Sequence, residues 1–148
     1  MYDRILVPTD GSTPAAAAID EAVELAAQTN AELHALYVTE PIPLGGFSAA
    51  PGPASAEWDD VVEQQHNEGE QATAVVADHG TERDVDVVEA IEHGKAAATV
   101  LEYAEANAID AIVMGTHGRS GADRLLLGSV TEKVVRKSDV PVLTVRME

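Results

Sequence analysis

Apolar positions along this chain fall into two alternating patterns: short unbroken runs that suit buried strands, and i, i+3, i+4 spacings that suit amphipathic helices. Arg4-Ile5-Leu6-Val7-Pro8 is a strand-like run that breaks at Thr9-Asp10-Gly11. Thr13 then offers an N-cap and Pro14 a first helical residue, and Ile19, Ala22, Val23 and Ala26 repeat at helical spacing toward Gln28. Glu32 to Val38 predicts a second strand. The segment from Glu40 to Ala56 is dense in proline, glycine, alanine and serine and predicts a long loop, the kind that in compact domains tends to serve function. A polar helix is expected from Glu57 to Asp78, carrying Val61, Val62, Ala72, Val75 and Val76 inward. Asp84 to Ile91 predicts the third strand, with Gly94 as its breaker, and Ala96 to Ala106 a helix with Val100, Leu101 and Ala104 on one face. Ile109 to Met114 is apolar throughout, as in a strand covered on both faces. A helix from Ser129 to Lys137 and a strand from Pro141 to Val145 complete the pattern.

Five strands alternating with four helices argue for an α/β fold, a doubly wound parallel sheet with helices on both faces. Right-handed crossovers reduce the topologies to a few strand orders. In such sheets ligands bind outside the carboxyl ends of the strands, where the strand order reverses. Two segments have the chemistry for such a mouth: Pro8-Thr9-Asp10 after the first strand, and Gly115 to Gly118 after the fourth.

Composition narrows this further. With 148 residues, 45% hydrophobic and 3% aromatic, the chain suits one domain over 1–148, packed by alanine, valine, leucine and isoleucine. No apolar run approaches the roughly 20 residues that span a bilayer, and Met1 to Ile5 shows no signal-peptide pattern. The expectation is a cytoplasmic protein with no membrane attachment. The absence of cysteine excludes disulfides and thiolate chemistry. The formal net charge of -17 opposes nucleic-acid phosphates, so no nucleic-acid partner is expected. Lysine is confined to Lys95, Lys133 and Lys137, while acids are spread throughout. An acidic, lysine-poor surface suggests adaptation to high salt, where counterions screen self-repulsion; the alternative is an acidic protein with no such history.

The candidate chemistry concentrates in Met114 to Ser129. Gly115, Gly118 and Gly128-Ser129 are spaced as G-x2-G-x9-G-[ST]. Two glycines can let a loop fold over phosphates with its N–H groups inward, and the last pair can start a helix whose positive dipole end faces the same phosphates. Against this, Ser129 followed by Glu132 is a capping box that needs no ligand, and Gly115 and Gly118 can simply turn the chain. Gly94-Lys95-Ala96 lacks the glycine and hydroxyl of a Walker A loop, and Gly115, Gly118 and Gly121 do not fit G-x-G-x-x-G.

Other polar residues carry less. The five histidines show no metal-ligand spacing and no cysteine assists them, so no metal site built from side chains is expected. His66 and Glu70 share a helix face, as a surface pair would, and His117 lies inside the glycine loop. Ser12, Ser120 and Ser129 have no recognisable base partner in sequence, so nucleophilic catalysis is unsupported and no catalytic residue is assigned. Asp10 can be read as a helix-initiating turn residue, and Arg119 as a solvated loop charge.

The segment from Ile112 to Val145, with Met-Gly-Thr-His-Gly-Arg, Leu-Leu-Leu-Gly-Ser-Val-Thr-Glu-Lys-Val and Pro-Val-Leu-Thr-Val, resembles the universal stress protein family, as does Arg4-Ile5-Leu6-Val7-Pro8-Thr9-Asp10-Gly11-Ser12. The family's ATP-binding branch is recognised by the glycine spacing that this chain matches in full. The resemblance implies a Rossmann-like parallel sheet of order 3-2-1-4-5, with a nucleotide across the mouth of the first and fourth strands. It implies that Pro8, Thr9 and Asp10 border base and ribose, Asp10 being a polar contact or an indirect metal partner, and that the backbone of Val38 reads adenine. Met114 and Gly115 would flank ribose and phosphates. Gly118, Arg119, Gly128, Ser129, Val130 and Thr131 would hold the phosphate chain, largely through N–H groups. The implied cofactor is ATP, with AMP or ADP as alternatives and Mg or Mn bound through the phosphates. The implied partner is a second copy of the chain, joined through the C-terminal strand, which Pro141 and the pattern of Val140 to Met147 mark as an edge. The resulting expectation is a nucleotide-dependent regulator of the stress response, with protein partners unknown. A slow ATP hydrolase and a nucleotide-free dimerisation or partner-binding module are the alternatives. A receiver-like domain fits less well, because Asp10 has only Asp3 nearby and the fifth-strand lysine is missing.

Overall fold

The computed structural model describes residues 2–40, 56–116 and 128–146. The elements run β1 (Arg4–Pro8), α1 (Thr13–Thr29), β2 (Glu32–Thr39), α2 (Ala56–Glu82), β3 (Val87–His93), α3 (Ala96–Ala106), β4 (Ala111–Gly115), α4 (Ser129–Lys137) and β5 (Val142–Val145). The strands form one parallel sheet in the order β3-β2-β1-β4-β5, as expected from the resemblance. The long loop predicted over Glu40 to Ala56 lies, apart from its two ends, outside the described residues.

Strand alternation sends successive side chains to opposite faces of the sheet, and each face meets its own pair of helices. Ile5, Val7, Leu33, Ala35 and Val113 pack on one face with Ala18, Ile19, Ala22, Val23 and Ala26 of α1 and Val76 of α2. Leu6, Leu36, Ile112 and Met114 pack on the other with Val100, Tyr103 and Ala104 of α3 and Val134 of α4. Residues 111–114 of β4 are therefore all buried, which accounts for the unbroken apolar run. Each fully buried side chain of the size of Leu36 or Ile112 stabilises the fold by about 1.5–3 kcal/mol. Helix α1 rests on both β1 and β4, so it straddles the seam where the strand order reverses.

Several element boundaries and faces depart from the sequence pattern. The N-cap of α1 is Ser12, with Thr13 already inside the helix. Strand β3 starts at Val87 rather than Asp84, because 83–85 are spent on ending α2: the N–H groups of Arg83 and Val85 donate to the Gly80 carbonyl (3.0 and 2.8 Å), and Asp84 takes φ 58°. In the same way β4 starts at Ala111, after Ala108 at φ 52° and an Ile109 N–H bonded back to Ala104. Val62 and Val75, expected to face inward, are 45% and 46% exposed. The inward line of α2 is Gly69, Ala72, Thr73, Val76 and Gly80, and Val75 sits one residue, about 100°, away from it. Val62 lies well before that line begins.

Gly80 is in that line because α2 crosses the sheet closely. A Cβ at this position would stand 2.4 Å from Val87 Cγ2 and 3.2 Å from the Val85 carbonyl oxygen. Glu24 of α1 and Arg83 at the end of α2 pair on the surface; the pair lowers the glutamate pKa and raises that of the guanidinium.

At the amino ends of the strands, Asp110 accepts from the N–H groups of Asp3 and Arg4 (2.8 and 2.9 Å), tying β4 to the start of β1. The Arg4 and Asp3 N–H groups hold its carboxyl below the usual range. A lowered folded pKa means that this stabilisation is present above the unfolded pKa and is lost as pH falls through the folded value. Asp110→Ala is expected to cost about 0.5–1 kcal/mol near pH 7, kept small by solvent. The gap from wild type should close in acid below about pH 4; urea melts at both pH values measure this. A pH-independent gap would show that the carboxylate charge contributes nothing.

Candidate functional site

The carboxyl ends of β1 and β4 form the crevice. The two strands are neighbours, with Ile5 opposite Ala111 and Leu6 opposite Ile112. From its end the chain leaves β1 into α1 on one face of the sheet, and leaves β4 toward α4 on the other. The two connections part at this point, a topological switch point of the kind where ligands bind in such sheets.

The β1 side is set by backbone bonding before any ligand is considered. Thr9 is buried, and its N–H donates to the Leu36 carbonyl (2.8 Å), one step past the strand. Its hydroxyl oxygen accepts from the Gly11 N–H (3.2 Å), and Asp10 Oδ1 accepts from the Ser12 N–H (2.9 Å). Two consecutive side-chain-to-backbone turns thus fix the segment. Gly11 sits at φ +77°, in the left-handed region where a side chain would be strained. Ser12 then starts α1 without donating or accepting a side-chain cap bond, and its Oγ is shut off from solvent with no hydrogen-bond partner among the described residues. Pro8 and Asp10 are half-buried beside Thr9. Val38 packs partly against the α3/α4 core, two residues past the Leu36 carbonyl that bonds Thr9.

The β4 side is held by a different set of bonds. Met114 is buried and Gly115 half-buried. Thr131, 4% exposed in the first turn of α4, donates its hydroxyl proton to the Gly115 carbonyl (2.8 Å). The Gly128 N–H donates to the Thr116 carbonyl (2.7 Å), and the Thr116 N–H to Val145 of β5 (3.0 Å). The strand end and the helix start are therefore stitched together at both bases of the intervening loop. Gly128 is the N-cap in extended conformation, with no side-chain cap bond, and Ser129 is the first residue inside the helix. The capping box expected from Ser129 and Glu132 is thus absent: Glu132 pairs with Arg136 instead, and its N–H bonds the Gly128 carbonyl. With glycine as cap, the cap residue itself brings no side chain to the start of the helix, where first-turn N–H groups lack intrahelical partners. Ser129 is exposed and Val130 half-buried there.

The structure thus brings Pro8, Thr9, Asp10, Met114, Gly115, Gly128, Ser129, Val130 and Thr131 to the carboxyl edge of the sheet, with Val38 on the adjacent strand. Gly118 and Arg119, and with them His117, lie outside the described residues. Sequence reasoning passed over two features: the hydroxyl of Thr131 as a link to β4, and Ser12 as a cap without a cap bond. The first had no local signal. The second had one, since Ser12 comes two residues before a proline that offers no N–H to cap.

Elsewhere, no group of three or more histidine, aspartate or glutamate side chains that could hold a metal ion occurs among the described residues. His34 is buried at the opposite end of β2, its ring nitrogens 2.7 Å from both Tyr103 Oη and Glu32 Oε1. Burial, then the charges of Glu92 and Glu32, push the Tyr103 phenol up. This network joins α3 to the sheet. His66 and Glu70 form the expected surface pair at 2.9 Å. Among the described residues no helix is long and apolar enough to cross a membrane.

Comparison with known proteins agrees with this geometry. The model of the Universal stress protein family matches residues 1–146. A universal stress protein of Methanocaldococcus jannaschii is 36% identical over 146 residues, covering 99% of this chain and 83% of that protein. Among solved structures, the universal stress protein UspA from Lactobacillus plantarum superposes with a TM-score of 0.75 at 32% identity, covering 98% of both chains. A universal stress protein solved in complex with cAMP superposes with a TM-score of 0.69 at 25% identity, covering 98% of this chain and 97% of the other.

Proposed function

Since this chain belongs to the universal stress protein family, we propose that it binds ATP in the β1/β4 crevice and acts as a nucleotide-dependent regulator. The observation that carries this reading is the glycine-capped start of α4, bonded through Thr131 to Gly115 and through Gly128 to Thr116. A preformed helix start capped by glycine at a switch point is suited to phosphate, because its N–H groups and dipole can face an anion without rearrangement. The cAMP complex of a relative supports a nucleotide ligand.

The residues fit such a ligand. Ser129, Val130 and Thr131 would take phosphate oxygens through backbone N–H groups, with Gly118 and Arg119 from the loop. Pro8, Thr9 and Asp10 would border the ribose and base, Val38 the adenine edge, and Met114 and Gly115 the ribose. Mg or Mn would arrive with the phosphates and neutralise their charge. AMP and ADP share the same anchoring group. The edge strand β5, where Leu143 is 45% exposed, would be covered by a second copy of the chain. The acidic surface fits a cytoplasm of high salt.

Isothermal titration of ATP with Mg²⁺ in molar salt tests the reading. Saturable uptake that Gly118→Val abolishes, without release of inorganic phosphate, is the expected result. Steady phosphate release would favour the hydrolase instead. No uptake of ATP, ADP or AMP, together with nucleotide-free protein by mass spectrometry after mild purification, would leave only the partner-binding module.

A further inference from the structure

Ser12 presents an anomaly that the fold does not resolve. An N-cap serine ordinarily turns its hydroxyl to the N–H of the second or third helical residue. Here the second is Pro14, which has no N–H, and no cap bond forms. Ser12 Oγ is the one buried side-chain polar atom without a hydrogen-bond partner among the described residues. Burying an unpaired hydroxyl is unfavourable, and such groups call for an explanation.

Its position supplies one. Ser12 follows Thr9 and Asp10, whose side chains hold the turn by bonding the N–H groups of Gly11 and of Ser12 itself. The backbone of Ser12 is therefore fixed while its hydroxyl is uncommitted. The helix it begins, seventeen residues long, rests on both β1 and β4. That places the positive end of α1 at the carboxyl edge of the sheet, directly after β1. The turn approaches α2 as well, with a Cβ built on Gly11 standing 3.8 Å from Ala72 Cβ.

We infer that Ser12 Oγ donates a hydrogen bond to a phosphate oxygen of the bound nucleotide, making α1 a second anchor beside α4. This rests on the nucleotide reading above and adds to it a residue outside the glycine spacing. The unpaired hydroxyl is a cost of the ligand-free protein that the ligand removes, and this separates ligand contact from a structural role. A hydroxyl that held the turn would lower stability when removed. A hydroxyl that waits for phosphate would leave stability unchanged or improve it, and weaken phosphate binding alone.

The test uses Ser12→Ala, with Ser12→Gly as a second variant because glycine is also a good N-cap. Ligand-free melting and titrations with ATP and with adenosine are run in molar salt. The expected result is an unchanged or raised Tm, about a tenfold loss of ATP affinity as for one charge-assisted hydrogen bond, and unchanged adenosine affinity. ATP affinity equal to wild type in both variants overturns the inference while leaving the nucleotide reading intact. So does an equal loss for ATP and adenosine, or a lowered ligand-free Tm in both variants. A wild-type protein that takes up neither ligand overturns the nucleotide reading, and this inference with it.

Discussion

Thr131→Val will loosen the crevice from within, weakening nucleotide binding by about tenfold or more and lowering stability by about 1–3 kcal/mol. Valine keeps the shape of threonine but cannot donate to the Gly115 carbonyl, 2.8 Å away in a site only 4% exposed. The loss is that of a buried acceptor left unmet, with no cavity to complicate it. For a chain of this size it corresponds to a fall in Tm of roughly 2–4 °C per kcal/mol. The effect on binding has a separate origin. The end of β4 and the start of α4, separated in the chain by thirteen residues, would carry the proposed ligand contacts, and the Thr131 link holds them in register. Sites of this kind lose affinity when their supporting contacts slacken, even where every contacting residue is still present. Thr131→Ser, which keeps the donor, should recover most of the affinity. Titration and thermal melts of the two variants decide the matter: a valine variant that binds ATP as tightly as wild type would show that the link is dispensable.

Gly80→Val is expected to be the most damaging substitution for the fold, costing about 3 kcal/mol and unfolding the protein at markedly lower urea. A Cβ alone would come to 2.4 Å from Val87 Cγ2 and 3.2 Å from the Val85 carbonyl oxygen. Val87 is β-branched and stiff at χ1, and the Val85 carbonyl is backbone, so neither neighbour yields cheaply. Helix propensity alone makes the opposite prediction, since valine is a better helix former than glycine. Urea melts in molar salt therefore distinguish packing from propensity, and a variant as stable as wild type would mean that α2 can lift from the sheet at little cost. Val75→Ala is the natural control, because that side chain faces outward.

Much of the architecture is legible in local pattern. The run Arg4 to Pro8 is β1 to the residue, and Ala96 to Ala106 and Ser129 to Lys137 are helices with the predicted limits. These segments have a single dominant period and clear punctuation at both ends. Boundaries fail where two elements compete for the same residues. Asp84 to Asp86 read as strand by alternation, yet the end of α2 claims Arg83 and Val85 through the Gly80 carbonyl. The capping box fails for a related reason. Ser129 and Glu132 have the right spacing, but Gly128 is pinned by the Thr116 carbonyl and takes the cap position itself.

The β1/β4 crevice divides along the same line. Its glycines, and the placing of Thr9-Asp10 and Gly115 at strand ends, follow from the order of residues, because strand ends and turns are encoded within a few positions. The sequence by itself determined an α/β sheet of five strands, an acidic surface, and a glycine-marked helix start after the fourth strand. The tertiary structure alone decided that the Thr131 hydroxyl reaches back sixteen residues to Gly115, that Gly80 lets α2 approach Val87, and that Ser12 Oγ is shut off from solvent with no partner among the described residues. Each of these depends on the distance between groups remote in the chain, and that distance is set by how whole elements pack, which no local period records.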